Sequence, residues 1–469
     1  MVFSSLPFLF YFLPITLVVY FISPRKIQNA TLAIISLIFY AWGEPVYIVL
    51  LLFSALADYV HGLWIEKHRK DAPNKARIGL ISSIIVNLAV LFFFKYANFI
   101  VDNVNQLLSL QLDPLDLPLP IGISFYTFQT MSYTIDVYRG QVKAQRNLIN
   151  FTLYVSLFPQ LIAGPIVRYA LIEQEINDRK WNSQQFAEGV QIFTIGLGKK
   201  VLLANSLAVL WNQTEATAAS DLTVMAAWLG IIAFMFHIYF DFSGYSDMAI
   251  GLGKMFGFTF PMNFNYPYIA RSATAFWRRW HMTLGGWFRD YLYIPLGGNR
   301  GGKLKLYRNL FIVWGATGLW HGASWNFILW GLYFGVILAL EKAFLLTFLE
   351  KMPKFFQHSY LLLVVIFSWV LFAFEELSKG LFYAKTMLGF GDFYQMEDLY
   401  HLSTFGILFI LAIFASTPLW KQIDQALQKL SSFLIVREVI RFGAIIGILL
   451  LSTAYLVDDS FNPFIYFRF

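Results

Sequence analysis

The segment GLWHGASWNF, residues Gly318–Phe327, places a histidine between a tryptophan and a glycine inside a long apolar run. No Lys, Arg, Asp or Glu occurs from Leu310 to Leu340. In a continuous helix, which rises about 1.5 Å per residue, His321 would lie roughly 17 Å from Leu310. That depth is near the middle of a hydrocarbon layer about 30 Å thick. The run therefore predicts a membrane helix that buries a titratable imidazole.

The composition extends this prediction to the whole chain. Of the residues, 58% are hydrophobic, 19% are aromatic and only 13% are charged, and the mean hydropathy is +0.58. These values lie far from those of a soluble domain. We therefore expect an all-α polytopic membrane protein, a single integral-membrane domain over residues 1–469 with about eleven transmembrane or re-entrant helices. The uncharged or nearly uncharged runs are Leu6–Ile22, Ala30–Trp42, Val46–Ala57, Ile78–Phe94, Leu119–Ile135, Leu148–Ile166, Leu222–Phe240, Leu310–Leu340, Leu361–Phe374, Phe405–Leu419 and Phe442–Val457.

The positions of the basic residues predict the orientation in the membrane. Arg25 and Lys26 follow the first apolar run and further cations follow the third, whereas the turn around Glu44 has none. Because cytoplasmic loops are enriched in Lys and Arg, the N-terminus is expected outside, at the start of a retained helix rather than a cleaved signal. The net charge of +7 then describes a basic cytoplasmic face that meets anionic lipid, with no nucleic acid as partner. The chain has no cysteine, which excludes disulfides and a cysteine nucleophile.

The region between Ala270 and Leu310 is strongly basic and aromatic, with Asp290 as its single acid. Aromatic rings that alternate with cations are typical of a segment in the headgroup layer, so an interfacial anchor is one interpretation. The other is a surface that gathers a polyanionic donor such as coenzyme A and delivers it towards the buried histidine. Under that interpretation the donor-binding candidates are Arg278, Arg279, Arg289 and Lys303, and the same region carries His281.

A third block, HIYFDFSGYSD at residues 237–247, contains the carboxylates Asp241 and Asp247 at membrane depth. Intramembrane ionisable groups are costly, and by default they indicate a pathway or a site. A structural role is the stronger interpretation here, because these acids could cap helix N-termini or pair with arginines of the basic region. The same interpretation applies to His237.

Two other functions are compatible with buried histidines and acids. A zinc site is disfavoured and no bound metal is expected, because no His-Glu-x-x-His pattern occurs and His281 and His321 are forty positions apart. A proton-coupled transporter is an open alternative, since such proteins use buried His and Asp with broken helices. The halves of this chain do not resemble each other, however, and internal repeats are the usual mark of transporters.

Ordered motifs along nearly the whole chain carry a resemblance to a known family. They are Met1–Ser5 (MVFSS), Leu119–Phe128 (LPIGISFYTF), Leu161–Pro165 (LIAGP), Tyr239–Gly253 (YFDFSGYSDMAIGLG), Phe276–His281 (FWRRWH), Arg289–Ile294 (RDYLYI), Leu296–Gly302 (LGGNRGG), Gly318–Ala323 (GLWHGA) and Asn462–Phe469 (NPFIYFRF). On these motifs the sequence resembles the membrane-bound O-acyltransferase family, and within it the branch that O-acetylates alginate and related secreted bacterial polysaccharides.

The resemblance implies that His321 is the catalytic histidine, acting as general base, and that His281 is a second functionally important one. It also implies a toroid of helices with a central tunnel. Tunnel lining or structural support is assigned to Asp241, Asp247, Trp320 and Asn326. Around His321, the small residues Gly318, Gly322 and Ala323 are expected to let a substrate approach the backbone.

The resemblance further implies substrates and location. The donor is expected to be acetyl-CoA or an acyl carrier on the cytoplasmic side, with no cofactor held permanently. The acceptor is expected on the outer side, either a polysaccharide or an extracellular partner acetyltransferase that passes the acetyl group on. The expected location is the bacterial plasma (inner) membrane. A related family branch transfers D-alanine to teichoic acid, which is the alternative within the family.

Overall fold

The computed structural model describes residues 2–115, 117–429 and 434–458. Met1 and the motif Asn462–Phe469, both used in the resemblance, lie outside the described residues. Every regular element of the described part is helical, and no strand occurs in it. The prediction of an all-α fold is therefore confirmed.

In chain order, the α-helices of the described residues are α1 (Leu13–Ile22), α2 (Gln28–Gly43), α3 (Ile48–His68), α4 (Pro73–Leu108), α5 (Ile123–Arg139), α6 (Leu148–Ser156), α7 (Phe158–Leu161), α8 (Tyr169–Asn177), α9 (Ser183–Gly198), α10 (Ser206–Ala216), α11 (Val224–Met255), α12 (Ala273–Trp277), α13 (Met282–Phe288), α14 (Lys303–His321), α15 (Trp325–Leu340), α16 (Leu346–Leu349), α17 (Lys354–Ala373), α18 (Leu377–Met387), α19 (Met396–Ala415), α20 (Leu419–Gln428) and α21 (Leu434–Asp458). Short π-helical segments adjoin them at Phe8–Phe12, Lys199–Asn205, Arg289–Tyr293 and Glu341–Leu345, with a 3-10 turn at Pro267–Ile269.

These elements group into two compact units. The first contains Met1–Phe193 and Met248–Pro261, and the second contains Thr194–Asp247 and Met262–Phe469. The single domain over residues 1–469 stays a prediction.

In the first unit, α3, α4 and α5 pack against one another around buried polar groups. Ser83 Oγ and Asn87 Nδ2 each donate to the Asp58 carboxylate at 2.6 Å. Thr130 Oγ1 donates in turn to Asn87 Oδ1 at 2.9 Å. Bonds of this kind between helices replace water for groups buried at membrane depth, so they account for a carboxylate in the interior of this unit.

Within the described residues, eight helices are long and apolar enough to cross a membrane. Most of them coincide with the expected apolar runs, although the count of eleven is not confirmed. The span Ser183–Ala216 was missed. Its two consecutive lysines, Lys199 and Lys200, interrupt the apolar pattern on which the expectation depended.

The uncharged run Leu310–Leu340 forms two helices rather than one. α14 ends at His321, and α15 begins at Trp325 after a short connection that starts at Gly322. Glycine and serine interrupt a helix without adding charge, so hydropathy alone does not detect this break. His321 is therefore the last residue of a helix rather than the midpoint of one.

Glycines bring α14 and α15 into backbone contact. A Cβ atom added to Gly331 would collide with the Trp314 carbonyl oxygen, and one added to Gly318 would collide with the Phe327 carbonyl oxygen. Because the contacts pair later residues of α14 with earlier residues of α15, the two helices form an antiparallel hairpin with His321 near its tip. The Phe327 ring also fills the space beside Gly322. The expectation that Gly318 and Gly322 leave room for a substrate is therefore wrong.

We expect Gly318→Ala to lower the thermal unfolding midpoint of the purified protein in detergent. The added methyl group meets backbone of α15, which cannot yield without moving the helix, and overpacking of this kind costs about 1–3 kcal/mol. Gly315→Ala, one turn earlier on α14, is the matched control, because no heavy atom lies within 4 Å of a Cβ at that position. Equal midpoints for the two variants would contradict the close packing of the hairpin.

Candidate active site

A sharp turn between α12 and α13 places His281. The Ser272 side chain caps α12 by accepting a hydrogen bond from the Ala275 N–H at 3.1 Å. Directly before α13, the backbone of His281 has a φ of +43°, a left-handed conformation that is uncommon for a residue with a Cβ. Backbone strain of this kind clusters at functional sites, which supports His281 as a candidate site residue.

The Asn263 side chain fixes the orientation of the His281 ring. Asn263 Oδ1 accepts from the Thr283 backbone N–H at 3.2 Å and from Thr283 Oγ1 at 2.8 Å, and it lies 3.2 Å from His281 Nδ1. Since the Thr283 N–H identifies this atom as the amide oxygen, His281 Nδ1 carries the proton and donates it, and Nε2 carries the lone pair. Burial lowers the pKa of His281 to about 3, so the ring is neutral at pH 7.

His321 is 2% exposed and lies among aromatic rings. Its ring centroid is 4.9 Å from that of Trp330 and 5.5 Å from that of Phe372. Trp320 contacts both candidate histidines, with centroid distances of 5.1 Å to His321 and 5.8 Å to His281. Two histidines that are forty positions apart in the sequence are thus brought together around one indole.

A cavity of about 670 Å³ lies in the second unit, with His281 in its wall. Three cations line it, Arg278, Arg289 and Lys342, and among the described residues no carboxylate does. Asp290, outside the lining, accepts from Arg289 Nε at 2.7 Å and from Nη2 at 3.1 Å. Two cations still face no acid across the cavity, so the wall attracts an anion. Much of the remaining lining is apolar, including Trp277, Phe288, Leu310, Val313 and Trp314.

Only two of the four predicted donor-binding residues line the cavity. Arg278 and Arg289 line the cavity together with His281. Arg279 is not in its wall, and Arg279 Nη1 donates to the Asn265 carbonyl oxygen at 3.0 Å. Lys303 is exposed at the first position of α14, also outside the cavity. The basic sequence block thus supplies two of the three cations that the cavity brings together.

The acids of residues 237–247 form ion pairs with lysines. Asp241 Oδ1 lies 2.6 Å from Lys200 Nζ, with side-chain exposures of 0% and 2%. Asp247 Oδ2 lies 2.7 Å from Lys199 Nζ. These partners belong to the π-helical segment Lys199–Asn205 and not to the basic region or to helix N-termini, where the sequence placed them. Both acids therefore tie α11 to that segment.

His237 and Asn326 contact backbone carbonyl groups. His237 Nδ1 lies 3.0 Å from the Ala204 carbonyl oxygen. Asn326 Nδ2 donates to the Leu371 carbonyl oxygen at 3.5 Å, and Asn326 Oδ1 bonds to Ser324 Oγ. These contacts support the packing of the helices beside the candidate site.

Two neighbouring residues, Glu341 and Lys342, escaped the sequence analysis. The buried Glu341 carboxylate accepts from the Ala273 N–H at 2.6 Å, from the Thr274 N–H at 2.8 Å and from Thr274 Oγ1 at 2.6 Å. The Tyr360 hydroxyl adds a bond at 3.1 Å. Glu341 thereby holds the start of α12, while Lys342 lines the cavity. Their position in the sequence could have identified them as candidates, because they are the first charged residues after the long uncharged run.

We expect Glu341→Ala to destabilise the protein. The buried N–H groups of Ala273 and Thr274 would lose their acceptor, at a cost of about 1–3 kcal/mol for each group. The measurement is the thermal unfolding midpoint in detergent, with the exposed Glu350 providing the control variant Glu350→Ala. If both variants unfold at the same temperature, Glu341 does not anchor α12.

Comparison with known proteins identifies the family to which the sequence is similar. Residues 122–383, which include both histidines and the whole cavity, match the model of MBOAT, the membrane-bound O-acyltransferase family. A probable alginate O-acetylase of Azotobacter vinelandii is 40% identical over 503 aligned positions, which cover 100% of both chains. A peptidoglycan O-acetyltransferase of Helicobacter pylori is 36% identical, over 83% of this chain and 80% of the relative. A teichoic acid D-alanyltransferase of Bacillus subtilis is 26% identical, over 54% of this chain and 67% of the relative.

Proposed function

Since the chain belongs to the membrane-bound O-acyltransferase family, we propose that it moves an acetyl group from a cytoplasmic donor to a secreted polysaccharide. Its candidate spans make it a multi-pass membrane protein. Family membership favours an O-acyltransferase over the proton-coupled transporter. The proposed location is the bacterial inner membrane, with the N-terminus outside and the basic region facing the cytoplasm.

The observation that carries this proposal is the cationic cavity beside His281. Acetyl-CoA presents several phosphate charges, and Arg278, Arg289 and Lys342 lie in the wall that would receive them. The apolar part of the wall, including Trp277 and Trp314, suits the uncharged acetyl-pantetheine end of the same molecule. A polyanion with an apolar arm therefore matches the lining better than a neutral solute does.

In the proposed reaction, His321 acts as general base towards an acceptor hydroxyl. His321 takes the hydroxyl proton as the oxygen attacks the thioester carbonyl carbon, the C–S bond breaks, and the thiolate takes up a proton. His281, a neutral ring in the cavity wall with a lone pair on Nε2, is proposed to orient the donor. The ring of Trp320, which contacts both histidines, keeps the two roles close together.

The relatives support acetyl transfer to a polysaccharide. Two O-acetylating enzymes resemble the chain over more than four fifths of its length, whereas the D-alanyltransferase matches 54% of it at lower identity. An alginate-like polymer is the proposed acceptor, and D-alanyl transfer to teichoic acid is the alternative. An extracellular partner acetyltransferase that takes the acetyl group first is a second route to the same polymer.

We expect His321→Ala to lower acetyl transfer by about 10²–10⁴-fold, the usual contribution of a general base. The assay uses protein purified in detergent, radiolabelled acetyl-CoA and alginate, and the unfolding midpoint is measured in parallel. His401→Ala, which removes a histidine on α19, serves as the control and should transfer acetyl groups like the wild type. Polymer of normal acetyl content from a strain that carries His321→Ala would refute the role of this residue.

We also expect Arg278→Gln and Lys342→Gln to raise the KM for acetyl-CoA. The increase should be about tenfold, since a hydrogen bond to a charged group contributes about 1.5–3 kcal/mol. Raising the salt concentration should also raise the wild-type KM, because ions screen the attraction between these cations and the anionic donor.

The matched control is Lys305→Gln. Lys305 is an exposed cation of the same basic region that does not line the cavity, and its substitution removes the same charge. An equal rise of KM in Lys305→Gln would show that acetyl-CoA is attracted by the charge of the basic region as a whole. The cavity would then lose its role as donor site.

A further inference from the structure

The His281 ring has a second neighbour besides Asn263. Phe242 is fully buried, and its ring lies perpendicular to the imidazole at 90°, with centroids 4.7 Å apart. Phe264 contacts both rings, at 4.9 Å from Phe242 and 6.5 Å from His281. α11, which carries Phe242, therefore forms part of the wall against which the imidazole is held.

A buried ion pair lies at the residue directly before Phe242 on α11. There, the Asp241 carboxylate meets Lys200 Nζ at 2.6 Å, with both side chains almost fully buried. Close by, the backbones touch, because a Cβ atom on Gly244 would lie 2.7 Å from the Gly196 carbonyl oxygen. An ion pair in a dry, close-packed contact tolerates little movement.

Lys200 reaches this contact from a π-helical segment, Lys199–Asn205. A π-helical turn accommodates an extra residue, and such turns are frequent at functional sites. Here it coincides with two consecutive lysines that both pair with α11. The irregular segment is therefore joined to α11 by two ion pairs.

We propose that the Lys200–Asp241 ion pair positions His281 through Phe242. The pair fixes the rotation of α11, α11 presents the Phe242 ring to the imidazole, and Phe242 and Asn263 together hold Nε2 in its working orientation. Lys200 and Asp241 are positioning residues that touch no substrate. This inference rests on the proposed function, because it assigns His281 to acetyl transfer.

A helix clamp with no link to His281 is the competing explanation. Both the clamp and the positioning role require the ion pair, but they predict different effects of its removal on stability and on kcat. A clamp contributes to stability alone, whereas a positioning pair also changes kcat at constant KM for acetyl-CoA, since the cavity cations are untouched. Replacing both members of a buried ion pair by apolar residues often leaves stability intact, so the two effects are separable.

The test compares Lys200→Met/Asp241→Val with Lys254→Gln/Glu188→Gln. The control removes another ion pair of α11, with a distance of 2.7 Å between Lys254 Nζ and Glu188 Oε2. With radiolabelled acetyl-CoA and alginate, we expect only the first variant to lose kcat, by about tenfold to a hundredfold, because a misplacement of about 1 Å costs about 10²-fold. Its unfolding midpoint and its KM for acetyl-CoA should stay close to those of the wild type.

Phe242→Leu is a second and independent variant. It keeps the ion pair but removes the ring from His281, so it should reproduce the loss of kcat at constant KM. Combined with Lys200→Met/Asp241→Val it should cause little further loss, because both changes act through the same contact. If the ion-pair variant does not fold, Phe242→Leu decides alone. Wild-type kcat in Phe242→Leu, or equal losses in the two ion-pair variants, overturns the proposal.

A measurement that needs no acetyl transfer separates this inference from the proposed function. In protein labelled with ¹⁵N-histidine, the His281 signal is identified as the one lost in His281→Ala. We expect it to shift in Phe242→Leu and Lys200→Met/Asp241→Val but not in Lys254→Gln/Glu188→Gln. If the wild type transfers no acetyl group while these shifts occur, the proposed function fails and the positioning contact stands. An unshifted His281 signal in the first two variants overturns the positioning proposal.

Discussion

A charge withdrawn from water needs a partner, and this constraint organises the second unit. The Lys200–Asp241 pair joins α11 to a π-helical segment, and the Glu341 carboxylate holds the start of α12 through backbone N–H groups. Each of these contacts fixes an element that touches His281 or the cavity. Arg278 and Lys342 in the cavity wall are exposed and do not fall under this constraint, and they face no lining carboxylate among the described residues. The buried structural charges are thus paired within the protein, whereas, in the part of the chain that the structure describes, Arg278 and Lys342 face no acid in the cavity wall.

The same constraint explains how far the sequence predicts the fold. Uncharged runs identify most of the candidate spans, because a membrane helix is apolar along most of its length. The span Ser183–Ala216 escapes this criterion because Lys199 and Lys200 are neutralised by acids far along the chain, which hydropathy does not register. At Gly322 the apolar run stays uncharged although α14 has ended, so hydropathy does not locate this helix end. Hydropathy reports the environment of a segment, whereas helix ends depend on local backbone preferences.

The candidate site was predictable where its residues are close in the sequence. Arg278, His281 and Arg289 lie within one basic block, and the turn between α12 and α13 brings them to one cavity. Lys342 lines the same cavity and Asn263 contacts His281, each from another segment, so only the folded chain identifies them as part of the site. The assignment of catalytic roles to these residues stays a prediction. The cavity reduces the number of donor-binding candidates, because Arg279 and Lys303 belong to the same basic block but lie outside the cavity wall.

The protonation state of His281 supports the role proposed for it. A general base is most effective when its pKa lies near the working pH. Burial places the pKa of His281 at about 3, so its Nε2 accepts hydrogen bonds throughout the physiological range but is a weak proton acceptor. Such a ring suits holding a neutral donor group, for example an amide N–H of a pantetheine arm, which is the role proposed for it. Removal of the acceptor's proton is the role proposed for His321. Trp320, which contacts both rings, connects the residue proposed to orient the donor to the residue proposed to activate the acceptor.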